Sequence, residues 1–167
     1  AKKEAARKAK PSKKEKKAAE IAWEKYKQNE KIRAAEKANN LKLESLRTEV
    51  NALFKEGNFK ESLLKSNELI TYEPSVNNYF WRAMTKFNLK DYEGSIFDLS
   101  KSIEINPLDD GLYFSRGRAK YTSSDLEGSI VDFNKAIELK KYASVYFWRG
   151  RARLDLKEYY KAIPDFM

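Results

Sequence analysis

From Leu43 onward, apolar residues fall into two alternating kinds of stretch, each about a dozen residues long and separated by short polar breaks. One kind carries an aromatic pair followed by a small residue: Tyr79-Phe80-Trp81-Arg82-Ala83, Tyr113-Phe114-Ser115-Arg116-Gly117 and Tyr146-Phe147-Trp148-Arg149-Gly150. The other follows a polar break: Asp91-Tyr92-Glu93-Gly94-Ser95-Ile96, Asp125-Leu126-Glu127-Gly128-Ser129-Ile130 and Glu158-Tyr159-Tyr160-Lys161-Ala162-Ile163. A more diverged copy of the second kind is Gly57-Asn58-Phe59-Lys60-Glu61-Ser62-Leu63. Each pair of stretches predicts two helices joined by a tight turn. Pro74 and Pro107 close their units, the usual place for a proline just past a helix end.

Tyr79 to Tyr113 is a step of 34 residues and Tyr113 to Tyr146 a step of 33, and periods of this size mark a solenoid. The expected units are 43–75, 76–109, 110–142 and 143–167, the last truncated, giving about three and a half repeats. The expectation is all-α: seven or eight antiparallel helices stacked as a right-handed α-α superhelix, preceded by a separate basic helical arm. The fourth unit stops at Met167 within its second helix, so the chain is expected to be a piece of a longer array. Pro164 is expected to kink that last helix or shift its start.

Over about 125 residues this resembles the tetratricopeptide-repeat (TPR) family. In the third unit Tyr113, Gly117, Ser129, Phe133 and Ala136 stand at the family spacing. The second keeps Tyr79, Ala83, Tyr92, Ser95, Leu99, Ser102 and Pro107. The first is degenerate, with Leu46 and Val50 for the aromatic and the small residue, but keeps Phe59, Ser62, Leu69 and Pro74. Lys141 stands where the third unit lacks its closing proline.

One feature lies outside the family pattern. The residue before the small one is Arg82, Arg116 and Arg149, and sixteen positions later stand Asp98, Asp132 and Asp165. In the first unit those slots hold Glu49 and Lys65, so the sign reverses at both ends. A helical hairpin would set each pair side by side, as half-buried ion pairs serving register more than stability.

The resemblance implies a concave face lined by first helices. Phe80, Phe114 and Phe147 should face it, with Met84, Arg118 and Arg151 one turn on, then Phe87, Tyr121 and Leu154. Aromatic walls with two cations suit a peptide carrying apolar and acidic groups. Packing between repeats is the competing role for any one of these aromatics. Some members of the family grip the acidic tail of heat-shock chaperones through Lys/Arg and Asn. Arg47 and Asn51, with Phe54, match the first element of that clamp. Trp81 replaces the Asn of the second, and Gly111 and Ser115 replace the Lys and Arg of the third, so the match is partial.

Charge then divides the chain. Residues 1–42 hold 15 Lys/Arg against 6 Asp/Glu, whereas residues 43–167 hold 19 of each, so the net +9 belongs wholly to the arm. The arm is rich in helix formers, but Ile21, Trp23, Tyr26 and Ile32 make no clean apolar face, and Pro11 limits any helix rising from the terminus. The run Lys13-Lys14-Glu15-Lys16-Lys17 reads either as a solvated tail or as an electrostatic contact. No apolar run is long enough for a signal peptide or membrane span. An intracellular, cytoplasmic location is therefore expected, with nucleus or organelle left open.

The chain has no cysteine and no histidine, which removes thiolate chemistry, disulfides and the commonest general base and metal ligand. No glycine-rich phosphate loop or metal-ligand spacing is present, so no enzyme activity, cofactor or metal is expected. The expected function is a non-enzymatic protein-interaction scaffold or adaptor, holding a peptide or partner subunit in the groove. The alternative is a nucleic-acid- or ribonucleoprotein-associated assembly factor, anchored to phosphates or to a large assembly through residues 1–20.

Overall fold

The computed structural model of the chain describes residues 10–167. Its helices are α1 (Lys13–Lys55), α2 (Phe59–Tyr72), α3 (Val76–Asn88), α4 (Tyr92–Ile105), α5 (Asp110–Thr122), α6 (Leu126–Leu139), α7 (Ala143–Asp155) and α8 (Tyr159–Ala162), followed by a 3-10 turn, Ile163–Asp165. Among the described residues there is no strand. By internal contacts the chain divides into two units, Ala1–Glu44 and Ser45–Met167.

α1 starts where local chemistry dictates. Ser12 and Glu15 form a reciprocal capping box: the Ser12 N–H donates to Glu15 Oε2 (2.7 Å), and the Glu15 N–H donates to Ser12 Oγ (3.3 Å). The helix then runs without a break to Lys55, so the arm is not a separate helix as the repeat pattern suggested. The reason is plain in the sequence: nothing between Ser12 and Gly57 is proline or glycine. Ile21, Trp23, Tyr26, Ile32 and Leu41 are all exposed. Local pairs support this part of the helix: Lys27–Glu24 at 2.9 Å, Arg33–Glu30 at 3.0 Å, and Trp23 stacked on Tyr26 with centroids 5.5 Å apart.

Within Ser45–Met167 every hairpin turns on one left-handed residue: Gly57 (φ 76°), Lys90 (64°), Ser124 (70°) and Lys157 (61°). Two backbone bonds close each turn in the Schellman manner. After α3, for example, the Lys90 N–H donates to Phe87 O (3.0 Å) and the Asp91 N–H to Lys86 O (2.9 Å). The next helix is capped at once, by Asp91 accepting from the Gly94 N–H and Asp125 from the Gly128 N–H, both at 2.9 Å. A left-handed turn leading straight into an N-cap folds each pair back on itself. The result is an α-α solenoid of TPR type, its helices packing on their sequence neighbours.

The core lies inside and between the hairpins. One buried cluster joins Ala83, Leu99, Ile103, Leu112 and Ala119; the next joins Phe133, Ala136, Ile137, Val145 and Ala152. Residues sixteen apart meet inside the hairpins, and their sizes compensate: Ala83 with Leu99, Gly117 with Phe133, Gly150 with Phe166. A Cβ on Gly117 would lie 2.7 Å from Phe133 Cε1, and one on Gly150 2.6 Å from Phe166 Cζ, so these two glycines exist to admit a ring. Buried hydroxyls tie the helices together: Ser62 Oγ lies 3.3 Å from Thr85 Oγ1 across a unit boundary, and Ser102 Oγ donates to Val76 O (3.0 Å) within one hairpin. At the end, Pro164 cannot supply a helical N–H, and α8 stops after Ala162 and tightens into the 3-10 turn.

Candidate functional site

The first helices α3, α5 and α7 position the candidate side chains, and a ladder of buried charge fixes these helices. Arg82 donates from Nε and Nη2 to Asp98 (2.8 and 2.6 Å), and Arg116 likewise to Asp132 (2.9 and 2.7 Å). Arg149 forks onto Asp165 in the same way. The carboxylates are almost wholly buried. Each carries a second cation that the sixteen-residue spacing did not reveal: Lys86 on Asp98 (2.9 Å), Lys120 on Asp132 (2.9 Å) and Arg153 on Asp165 (2.8 Å). The signal was there, since each lies four residues after the arginine. Asp132 also holds the Arg116 guanidinium above its ordinary value, through its hydrogen bonds first.

The third nitrogen of each arginine reaches the preceding unit. Arg82 Nη1 donates to Asn67 Oδ1 (3.0 Å), Arg116 Nη1 to Ser100 Oγ (3.0 Å) and Arg149 Nη1 to Asn134 Oδ1 (2.7 Å). One guanidinium thus fixes its own hairpin and the stacking on the unit before it. In the first unit the reversed pair, Lys65 to Glu49, spans 3.0 Å and is much more exposed.

The faces of these helices carry a stripe of rings and arginines. Phe80 and Phe87 are half-buried against the first core cluster, and Phe114 and Tyr121 against the second, while Phe147 is exposed beside Phe166 (6.1 Å). Arg118 sits among three rings from three helices: Phe87 (5.7 Å), Phe114 (5.9 Å) and Trp148 (5.1 Å). Arg151 lies over Tyr121 (5.8 Å) and Trp148 (5.6 Å). The Tyr121 hydroxyl donates to Asp155 Oδ2 (2.6 Å), which holds the phenol above its usual value. Trp148 was missed because it occupies the slot of Trp81 and Ser115, one after the groove phenylalanine. Met84, Phe87, Asn88, Ser115 and Arg118 line a pocket of about 150 Å³ between α3 and α5.

The partial clamp falls in a different place. Arg47 and Asn51 line a pocket of about 290 Å³ with Glu73, Asn77, Asn78 and Trp81. Glu73, just after α2, accepts from Arg47, so a carboxylate of the chain itself stands on the first clamp cation. Trp81 closes the site where a second asparagine would be needed, its ring edge-on to Phe54 at 5.4 Å. At the far end, Tyr142, Tyr146, Phe147, Phe166 and Met167 border an apolar hollow of about 590 Å³. Burial first, then the charge of Asp110, pushes the Tyr142 phenol up to about 12.

In the arm, Lys13-Lys14-Glu15-Lys16-Lys17 forms the exposed first turns of α1; residues 1–9 of the proposed contact lie outside the described residues. Among the described residues no helix is long and apolar enough to cross a membrane.

Comparison with known proteins agrees with this architecture. Residues 76–107 match the tetratricopeptide-repeat family profile. No curated protein matches the sequence. Among solved structures, one of MamA superposes with a TM-score of 0.73 at 16% identity, covering 95% of this chain and 92% of MamA. The first TPR of Spaghetti (RPAP3), bound to the HSP90 peptide SRMEEVD, gives 0.66 at 20% identity, covering 69% of this chain and 93% of that one. The second TPR domain of human RPAP3, in complex with the HSP70 peptide SGPTIEEVD, gives 0.65 at 18% identity, covering 69% and 98%.

Proposed function

We propose that this chain, whose residues 76–107 match the tetratricopeptide-repeat profile and whose fold is of that type, is a non-enzymatic interaction scaffold that holds a peptide segment of a partner along α3, α5 and α7. The observation that carries this reading is the stripe Phe87–Arg118–Trp148–Arg151–Tyr121, which crosses three first helices without a break. Aromatic and arginine side chains dominate interface energies, and here they are already ordered by mutual contact. The RPAP3 domains that share this fold hold chaperone peptides. The residues of this chain favour another sequence, because Trp81, Gly111 and Ser115 replace most of the chaperone clamp and Glu73 occupies Arg47. In this reading the basic arm speeds encounter through its charge.

The test compares what wild type and variants retain from a cell extract at matched salt. Arg118→Ala with Arg151→Ala should release the partner while the helical content stays constant, and deletion of residues 1–20 should leave it bound. The opposite pattern would make the repeats a spacer. It would favour the second reading, an assembly factor whose arm holds nucleic-acid phosphates. Exposed Trp23 and Tyr26 beside the lysines of α1 are the observation on that side. Steeply salt-dependent binding of a single-stranded RNA, abolished with the arm, identifies that case.

A further inference from the structure

Most of the arginines in Ser45–Met167 already face a carboxylate: Arg47 faces Glu73, Arg82 faces Asp98, Arg116 faces Asp132, and Arg149 and Arg153 face Asp165. Arg118 does not. Among the described residues its side chain makes no hydrogen bond, and its Nε is sealed from solvent without a partner. Three rings hold the guanidinium half-buried. They offset part of the cost of removing it from water but neutralise no charge. It lines the small pocket with Met84, Phe87, Asn88 and Ser115.

We infer that Arg118 is the receptor for one carboxylate of the bound peptide, an assignment that rests on the groove reading above. The pocket supplies the rest of the chemistry. Asn88 spends its amide N–H on Met84 O (2.8 Å), which leaves its side-chain oxygen to accept from a peptide N–H. The Ser115 hydroxyl stands ready to donate to the second carboxylate oxygen. Met84 and Phe87 offer an apolar wall to the neighbouring residue of the peptide. At about 150 Å³ the pocket has room for roughly five waters. A single carboxylate fits that space, whereas a polyanion would need several converging cations. Residues 43–167 carry no net charge to offer one.

Arg151 is not equivalent. It is exposed, and the Tyr121 over which it lies already donates to Asp155, so a negative group stands on the same ring. The groove therefore reads acidity at one point. The carboxylate has two sources, an Asp or Glu side chain or a chain terminus, and both present the same fork to a guanidinium.

The experiment uses the full chain and random dodecapeptides displayed on phage. Each enriched sequence is synthesised in three fluorescein-labelled forms: as selected, with its acidic residues changed to the amides, and with its C-terminus amidated. Anisotropy titrations are run on wild type, Arg118→Gln and Arg151→Gln. Loss of one carboxylate, from the side chain or from the terminus, should weaken binding about tenfold or more on wild type and Arg151→Gln, and about twofold or less on Arg118→Gln. Which form weakens identifies the source. Binders indifferent to both changes, or a carboxylate effect that survives intact in Arg118→Gln, overturn the Arg118 assignment and leave the groove standing. A selection whose binders ignore Phe87→Ala, Arg118→Gln and Trp148→Ala alike overturns the groove reading, and this assignment with it. The amide peptides on wild type keep the result decisive should Arg118→Gln unfold.

Discussion

Gly117→Ala should destabilise a helix that alanine ordinarily favours. In a helix interior the change from glycine gains about 0.5–1 kcal/mol. At position 117 the new Cβ would meet three carbons of the Phe133 ring at 2.7, 2.8 and 3.2 Å. Ordinary carbon contacts lie near 3.5–4.0 Å, so the ring must move by most of an ångström. It has nowhere to go, being fully buried with Phe114 beside it (6.1 Å). Overpacking of this kind costs about 1–3 kcal/mol, which leaves a net loss of up to about 2.5 kcal/mol after the helix gain. Gly117→Leu should cost more. The second unit shows the remedy, since Ala83 there faces Leu99. Phe133→Leu alone opens a cavity, but in the Gly117→Ala background it recreates the Ala83–Leu99 pair, and the double variant should recover about 1 kcal/mol relative to the sum of the single changes. Urea unfolding followed by circular dichroism, with unchanged slopes, gives the cycle. A Gly117→Ala variant more stable than wild type, or strictly additive losses, would show that the glycine does not make room for the ring.

Removing Asp132 by Asp132→Ala leaves Arg116 and Lys120 together without their acid, and should cost about 3–5 kcal/mol in the same assay. Exchanging Arg116 and Asp132 should be milder than reversing either alone, yet incomplete, because the new arginine meets Lys120; a full rescue would place Lys120 elsewhere. Ser124→Gly should stabilise by up to about 1 kcal/mol, since φ of 70° burdens serine but not glycine, and a loss would mean that the serine makes a needed contact. Asp125→Ala should cost about 1 kcal/mol through the lost cap on Gly128. The raised Tyr142 phenol stays neutral in the folded chain where the unfolded chain ionises. Its contribution is therefore complete below pH about 10 and lost as pH climbs toward about 12, and Tyr142→Phe should flatten that part of the stability profile.

The hairpins were legible because their signals are local and periodic. A thirty-three- or thirty-four-residue step, Asp at the caps and a proline after α2 and α4 fix the number and order of helices. The sixteen-residue charge spacing was equally legible, since it needs only two helices and one turn. What local pattern could not give depends on neighbours from other units. Trp148 reaches Arg118 across a repeat boundary, and Glu73 reaches Arg47 across a span of 26 residues. The single helix Lys13–Lys55 was misread for another reason. A change of charge at residue 42 looked like a structural boundary, but charge composition does not break a helix; glycine and proline do, and there are none.

The chain's three tryptophans report on three places: Trp23 in the arm, Trp81 at the partial clamp and Trp148 in the groove. Each contributes one indole N–H resonance to a proton–nitrogen correlation spectrum of the full chain. On titration with a selected acidic dodecapeptide, the Trp148 resonance should shift together with the backbone signals of Phe87, Ser115 and Arg118, while Trp23 stays in place. A shift confined to Trp23 and the α1 lysines, with Trp148 unmoved at saturation, would contradict the claim that the first-helix groove is where this protein holds its partner.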